Sequence, residues 1–132
     1  MQPILLEPTA ETTTTLMQAA VVAAPGQVHI QSITLPKPAG GQVRLRLEGC
    51  GLCASNIPVW EGREWFSYPV EAGNPGHEGW GVVDAVGEDV TDLQVGDRVA
   101  ALSYHSYAQY DLADAKQVVK LPTTLAGKPF PG

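Results

Sequence analysis

In the stretch GNPGHEGWGVV, residues 73 to 83, one histidine and one glutamate stand side by side among four glycines. Upstream, GCGLCASN, residues 49 to 56, carries Cys50, Cys53 and Ser55. Thiolate and imidazole are ligands that zinc favours, and a catalytic zinc uses about three protein ligands with one position left open. Cys53 and His77 make such a pair, and Glu78 adds a carboxylate beside the imidazole as an alternate ligand. Zinc held this way would polarise an alcohol or carbonyl oxygen and bring the pKa of a bound O–H towards neutrality. Ser55, two residues past the thiolate, is placed to pass that proton outward. The glycines around His77 are expected to turn the backbone sharply and to leave room for metal and substrate.

Plainer readings of the same residues stay open at this level. A single histidine near glycine can be structural. Cys50 and Cys53 can be an ordinary buried thiol and a surface one, or a C-x-x-C redox pair, although no βαβ pattern surrounds them. A structural zinc knuckle would need a second C-x-x-C, which the sequence lacks. Trp60, Trp65 and Phe66 fit a substrate-pocket wall, with Tyr68 beside them, and fit a core or a covered loop equally well. Asp84, Glu88, Asp89 and Asp92 read as solvated turn residues.

The elements that must carry these groups read as mainly all-β. Glycine (14) and proline (11) exceed the average usage of about 7% and 5%. With 44% hydrophobic residues the excess means turns rather than disorder. A chain of 132 residues is one domain by length and buries roughly two-thirds of its unfolded surface. QAAVVAA and QVHIQSITL flank a Pro25-Gly26 turn, and QVRLRLEG alternates Val43, Leu45 and Leu47 against charged neighbours. GWGVVDAVG and RVAALS are further strands, and residues 106 to 122 hold one or two more. Residues 53 to 68 have room for a short helix, broken by Pro58 and Gly62. Six or seven strands and no long helix make a barrel or a sandwich.

Other classes are disfavoured. Eight basic against 14 acidic residues, a net charge of −6, argue against nucleic acid as a partner. No apolar run approaches the ~20 residues of a membrane span. Residues 1–17 resemble neither a signal peptide nor a periodic element and read as a flexible leader, so a cytoplasmic location is expected. No G-x-G-x-x-G stands between a strand and a helix, so no cofactor-binding residue for NAD is expected in this chain.

CGLCASN, NPGHEGWGVVDAVGEDVTDLQVGDRVA and VVKLP, in this order between Gln18 and Pro122, resemble the catalytic domain of the zinc-dependent medium-chain alcohol dehydrogenase/reductase family. The resemblance implies a GroES-like β-barrel over residues 18–132 with short helical turns. It also implies an N-terminal piece of a longer enzyme whose Rossmann domain, third zinc ligand and returning strands lie beyond Gly132. Cys53 matches the first zinc ligand and His77 the second. Glu78 matches their acidic neighbour or alternate ligand, and Ser55 the hydroxyl that bonds the substrate oxygen. Gly51, Gly76, Gly79 and Gly81 match backbone-turn positions.

The departures carry expectations of their own. Asn56 stands where most members have an Asp that hydrogen-bonds a zinc-bound histidine, so the zinc site is expected to be altered. Pro58 stands where many carry a His that finishes the proton relay, so the proton is expected to leave through water. After Val99 the four-cysteine lobe is missing, which implies one catalytic zinc and no structural zinc. The implied function is the zinc- and substrate-binding domain of an NAD(P)-dependent alcohol, polyol or aldehyde oxidoreductase. Its substrate would be a small alcohol or carbonyl compound. NAD or NADP would bind only in the full-length enzyme, which is plausibly a homo-oligomer, and the 132 residues alone would be inactive. The alternative is a non-enzymatic GroES-like barrel acting as a binding or co-chaperonin-like module. A zinc-free quinone reductase relative would lack the Cys and His pair.

Overall fold

The computed structural model describes residues 14–125, so most of the expected leader and the last residues lie outside it. Among the described residues seven strands form, in chain order β1 (Leu16–Ala24), β2 (Gln27–Thr34), β3 (Gln42–Cys50), β4 (Gly79–Val86), β5 (Arg98–Ala101), β6 (Tyr110–Asp114) and β7 (Val118–Lys120). One short helix, α1 (Ile57–Glu61), follows a single 3-10 turn at Ala54–Asn56. The chain is thus all-β, as its alternation and turn content predict. β1 begins two residues before the expected boundary and buries Met17.

Pro58 does not break α1. It occupies the first turn, where its missing N–H is one of the orphans anyway, and the left-handed Gly62 (φ 81°) ends the helix.

Every strand pairing among the described residues is antiparallel. β1 and β2 form a hairpin, while a five-stranded sheet runs in the order β6-β3-β4-β5-β7. The hairpin joins that sheet where Ala19 bridges Ala108, with Ala20 N–H donating to Tyr107 O at 2.8 Å and Gln109 N–H to Gln18 O at 3.0 Å. Through this bridge the strands follow one another as 2-1-6-3-4-5-7. Among the described residues no strand pairs with the outer edge of β2, and Val28 and Ile30 are exposed there.

Inward positions of the sheet make the core. Val43, Leu45, Val83, Leu93, Val99, Ala101 and Ala113 are buried together, and Leu45 faces Val83 in register. Leu93 is the one buried residue of the long turn between β4 and β5, and it caps this core.

Asp84 corrects an expectation. It is a β4 residue, not a turn residue, and both its oxygens accept from Arg44 on β3 (2.9 and 3.0 Å). The Arg44 guanidinium also donates to Pro36 O and lies over the Tyr110 ring, so the pair is packed on both sides. Such bidentate, partly covered pairs exceed the small contribution of an exposed one.

Candidate metal and substrate site

Two segments build the site. β3 ends at Cys50 and releases the chain into Gly51–Asn56, which carries Cys53 and Ser55. The loop leading into β4 carries His77 and Glu78. Gly51 N–H donates to Glu78 O at 3.0 Å, extending the β3–β4 pairing and holding the two segments side by side. One ligand atom from each of Cys53, His77 and Glu78 lies within 4.8 Å of the others. Zinc, binding each at roughly 2.0–2.3 Å, needs only small side-chain adjustments to draw them together. The donor set and the geometry fit that metal.

The tautomer of His77 follows from its neighbour. Nδ1 lies 2.9 Å from Pro75 O, a group that only accepts, so Nδ1 carries the proton and Nε2 keeps the lone pair. This is the state of a metal-binding imidazole whose other nitrogen is fixed by a carbonyl. Asn56 is not bonded to the imidazole, contrary to what the Asp-bearing resemblance implies. Its Nδ2 donates to the same Pro75 O at 3.2 Å, and its Oδ1 accepts from Tyr107 Oη at 2.5 Å.

The two cysteines part ways. Ser55 Oγ donates to Cys53 Sγ at 3.2 Å, and this bond, with Ser55 N–H and His77, holds the Cys53 thiol below its ordinary range. Burial pushes the Cys50 thiol up, and it donates to Gly51 O. The hydrogen bond with Cys53 raises the His77 imidazole. Cys50 does not belong to the ligand group, and the described structure records both cysteines as free. In EDTA-treated protein, iodoacetamide followed by peptide mass analysis is expected to label Cys53 at a pH where Cys50 is still silent. Ser55→Ala should move the Cys53 midpoint upward, because the thiolate loses its first donor. Equal labelling of the two cysteines at every pH would contradict this assignment.

The glycines around His77 answer to packing rather than to turns. Gly79 and Gly81 lie inside β4, and neither they nor Gly51 or Gly76 has a positive φ. A Cβ on Gly76 would stand 2.5 Å from Tyr107 N, one on Gly79 2.7 Å from Ser106 Oγ, and one on Gly81 2.1 Å from Arg46 O. The protein's own atoms, backbone at Gly76 and Gly81 and the Ser106 and Leu47 side chains at Gly79, occupy the room that the sequence suggested for metal and substrate. Of the glycines flanking His77, Gly73, at φ 84° and against His105 O, is the one that combines close approach with a left-handed turn.

Beside Cys53 an apolar recess of about 420 Å³ is lined by Val22, Leu52, Asn56, Ile57, Val59 and Trp60. A larger groove of about 520 Å³ continues over the hairpin past Val28 and Ile30, and Tyr107 lines both. Trp60 is therefore a wall residue. Trp65 and Phe66 lie outside both recesses with their rings 5.9 Å apart, and Tyr68 Oη donates to Val59 O. Tyr107 escaped the sequence reading, because SYAQY carries no signal beyond strand alternation.

Comparison with known proteins agrees with this fold. The alcohol dehydrogenase GroES-like domain model matches residues 39–123. The chain belongs to that family. It is 36% identical to an alcohol dehydrogenase of Moraxella sp. (strain TAE123) over 68% of this chain and 27% of that protein. It is 31% identical to an alcohol dehydrogenase of Geobacillus stearothermophilus over 83% of this chain and 41% of that one. An alcohol dehydrogenase from E. coli CFT073 (rspB), crystallised with NADH, superimposes with a TM-score of 0.72 at 27% identity, covering 85% of this chain and 40% of the other. The matches thus span well under half the length of these relatives. The relatives are oxidoreductases, and the all-β domain described here is the part they share. No helix among the described residues is long and apolar enough to cross a membrane.

Proposed function

We propose that this chain is the zinc- and substrate-binding domain of an NAD(P)-dependent alcohol, polyol or aldehyde oxidoreductase. The observation that carries the reading is the convergence of Cys53, His77 and Glu78 beside the hydroxyl of Ser55. Zinc, when bound there, supplies a Lewis acid for a substrate oxygen. Cys53 and His77 Nε2 hold it, and Glu78 is the alternate ligand. Ser55 would orient the substrate hydroxyl and accept its proton while releasing its own hydroxyl proton. With Pro58 one turn further on, that released proton goes to water. The apolar walls of Leu52, Ile57 and Trp60 suit the hydrocarbon part of an alcohol or aldehyde. NAD(P), as acceptor of the hydride, and the third zinc ligand belong to a longer protein of the relatives' length. Cytoplasmic location and homo-oligomerisation of that protein are part of the same reading. The 132 residues alone should produce no NAD(P)H from any alcohol.

Elemental analysis of the purified chain tests the reading. About one zinc per chain is expected, lost in Cys53→Ser and in His77→Ala. Zinc retained undiminished in both variants would overturn it. The non-enzymatic barrel remains the other reading, and a ring-shaped oligomer of this chain, without zinc, would favour it.

A further inference from the structure

Resting on that zinc site, we propose that Tyr107 is a positioning residue which sets the metal-binding tautomer of His77 through the side-chain amide of Asn56. The two ligand segments are joined by more than the β3–β4 ladder, and Tyr107 touches both. Its backbone N–H donates to Gly73 O at 3.1 Å, and its main chain and ring stand against Gly76, where a Cβ would lie 2.5 Å from the nitrogen and 2.9 Å from Cγ. Its phenol reaches the other segment, donating to Asn56 Oδ1 at 2.5 Å with Gly51 O at 3.4 Å. The residue spans the space between the Cys53 turn and the His77 loop.

The direction of each hydrogen bond follows from chemistry. A phenol facing a backbone carbonyl and a side-chain amide donates to the amide oxygen, so it fixes which end of Asn56 is which. The NH₂ end then faces Pro75 O at 3.2 Å. That carbonyl has two lone pairs; one takes Asn56 Nδ2–H and the other takes His77 Nδ1–H at 2.9 Å. Held in place by Asn56, that carbonyl keeps its second lone pair turned to the imidazole. The chain Tyr107–Asn56–Pro75–His77 therefore keeps the proton on Nδ1 and the lone pair on Nε2. It does so without the carboxylate that the resemblance leads one to expect at position 56: Asn56 reaches His77 through Pro75 O rather than directly, and this route needs the donor end of the amide. With the backbone as it stands, a carboxylate would face Pro75 O with oxygen against oxygen.

The test uses the full chain with zinc alone as the probe. In metal-free protein, at a pH where the imidazole is neutral, long-range ¹H–¹⁵N NMR should show His77 of the wild type as the Nδ1–H tautomer. Tyr107→Phe deletes only the hydroxyl and should give a mixture of tautomers, with zinc affinity down about tenfold. Asn56→Asp keeps an acceptor for the phenol but loses the donor to Pro75, and its zinc affinity should also fall about tenfold. Thermal melting of each variant serves as the control: a merely structural role would lower the melting temperature and leave the tautomer untouched. A wild-type tautomer and affinity in Tyr107→Phe, or an affinity in Asn56→Asp at or above wild type, would overturn the proposal. Failure of the functional reading looks different. A wild type that takes no zinc but whose tautomer is released by Tyr107→Phe would sink the zinc site and leave this hydrogen-bond chain standing.

Discussion

Gly81→Ala is expected to melt roughly 10 °C below the wild-type chain, a loss of about 3 kcal/mol. Gly81 lies in β4 with Leu47 of β3 opposite on one side and Val99 of β5 on the other. An added methyl would sit 2.1 Å from Arg46 O and 2.9 Å from Leu47 Cα, both backbone atoms. A side chain can turn away from such a clash, but a strand hydrogen-bonded on both edges cannot. The sheet has to part where β3 is already irregular, between Leu47 and Gly49. Gly40→Ala is the matched control. It has open space around the added carbon, no positive φ, and an expected effect within about 0.5 kcal/mol. Equal melting temperatures for the two variants would show that the β3–β4 approach is not what demands glycine here.

That prediction marks where sequence reasoning stopped short. The glycines of GNPGHEGWG are visible in the sequence, but their cause is a backbone lying elsewhere in the chain, at Arg46 and at Ser106–Tyr107. The strands were legible because alternation is local: Val43 and Leu45 face inward from β3 as their spacing predicts. Cys53 and His77 stood out because cysteine and histidine are few and chemically distinctive, whereas Glu78 stood out only by its place beside His77. Partners were not legible. Asp84 finds Arg44 across 40 positions, and Asn56 finds Tyr107 across 51. Neither separation leaves a trace in local composition, so Asp84 read as solvated and Tyr107 went unremarked.

Asp111 makes the same point at larger cost. In QYDLAD the alternation would send leucine inward and aspartate outward, yet Asp111 is 4% exposed and Leu112 is only half-buried. No ion pair joins this carboxylate among the described residues. It is held by donors instead: Ser106 Oγ at 2.9 Å and His105 N at 3.1 Å on one oxygen, and Leu112 N at 2.7 Å on the other. Ser103 Oγ completes the cluster at 2.7 Å from Ser106 Oγ. Asp111→Ala strips the acceptor from three groups at once and should cost about 3 kcal/mol, again roughly 10 °C in melting temperature. Asp111→Asn keeps a carbonyl oxygen for these donors and should lose about 1 kcal/mol. The damage should reach the loop that carries His77, because Ser106 N–H donates to Gly76 O and Tyr107 N–H to Gly73 O. Hydrogen exchange at those two amides should quicken in Asp111→Ala while exchange within β4 and β5 changes less. Exchange that speeds up uniformly along the chain would mean that Asp111 serves global stability alone. Selective opening at Ser106 and Tyr107 would place this buried carboxylate behind the loop that presents His77.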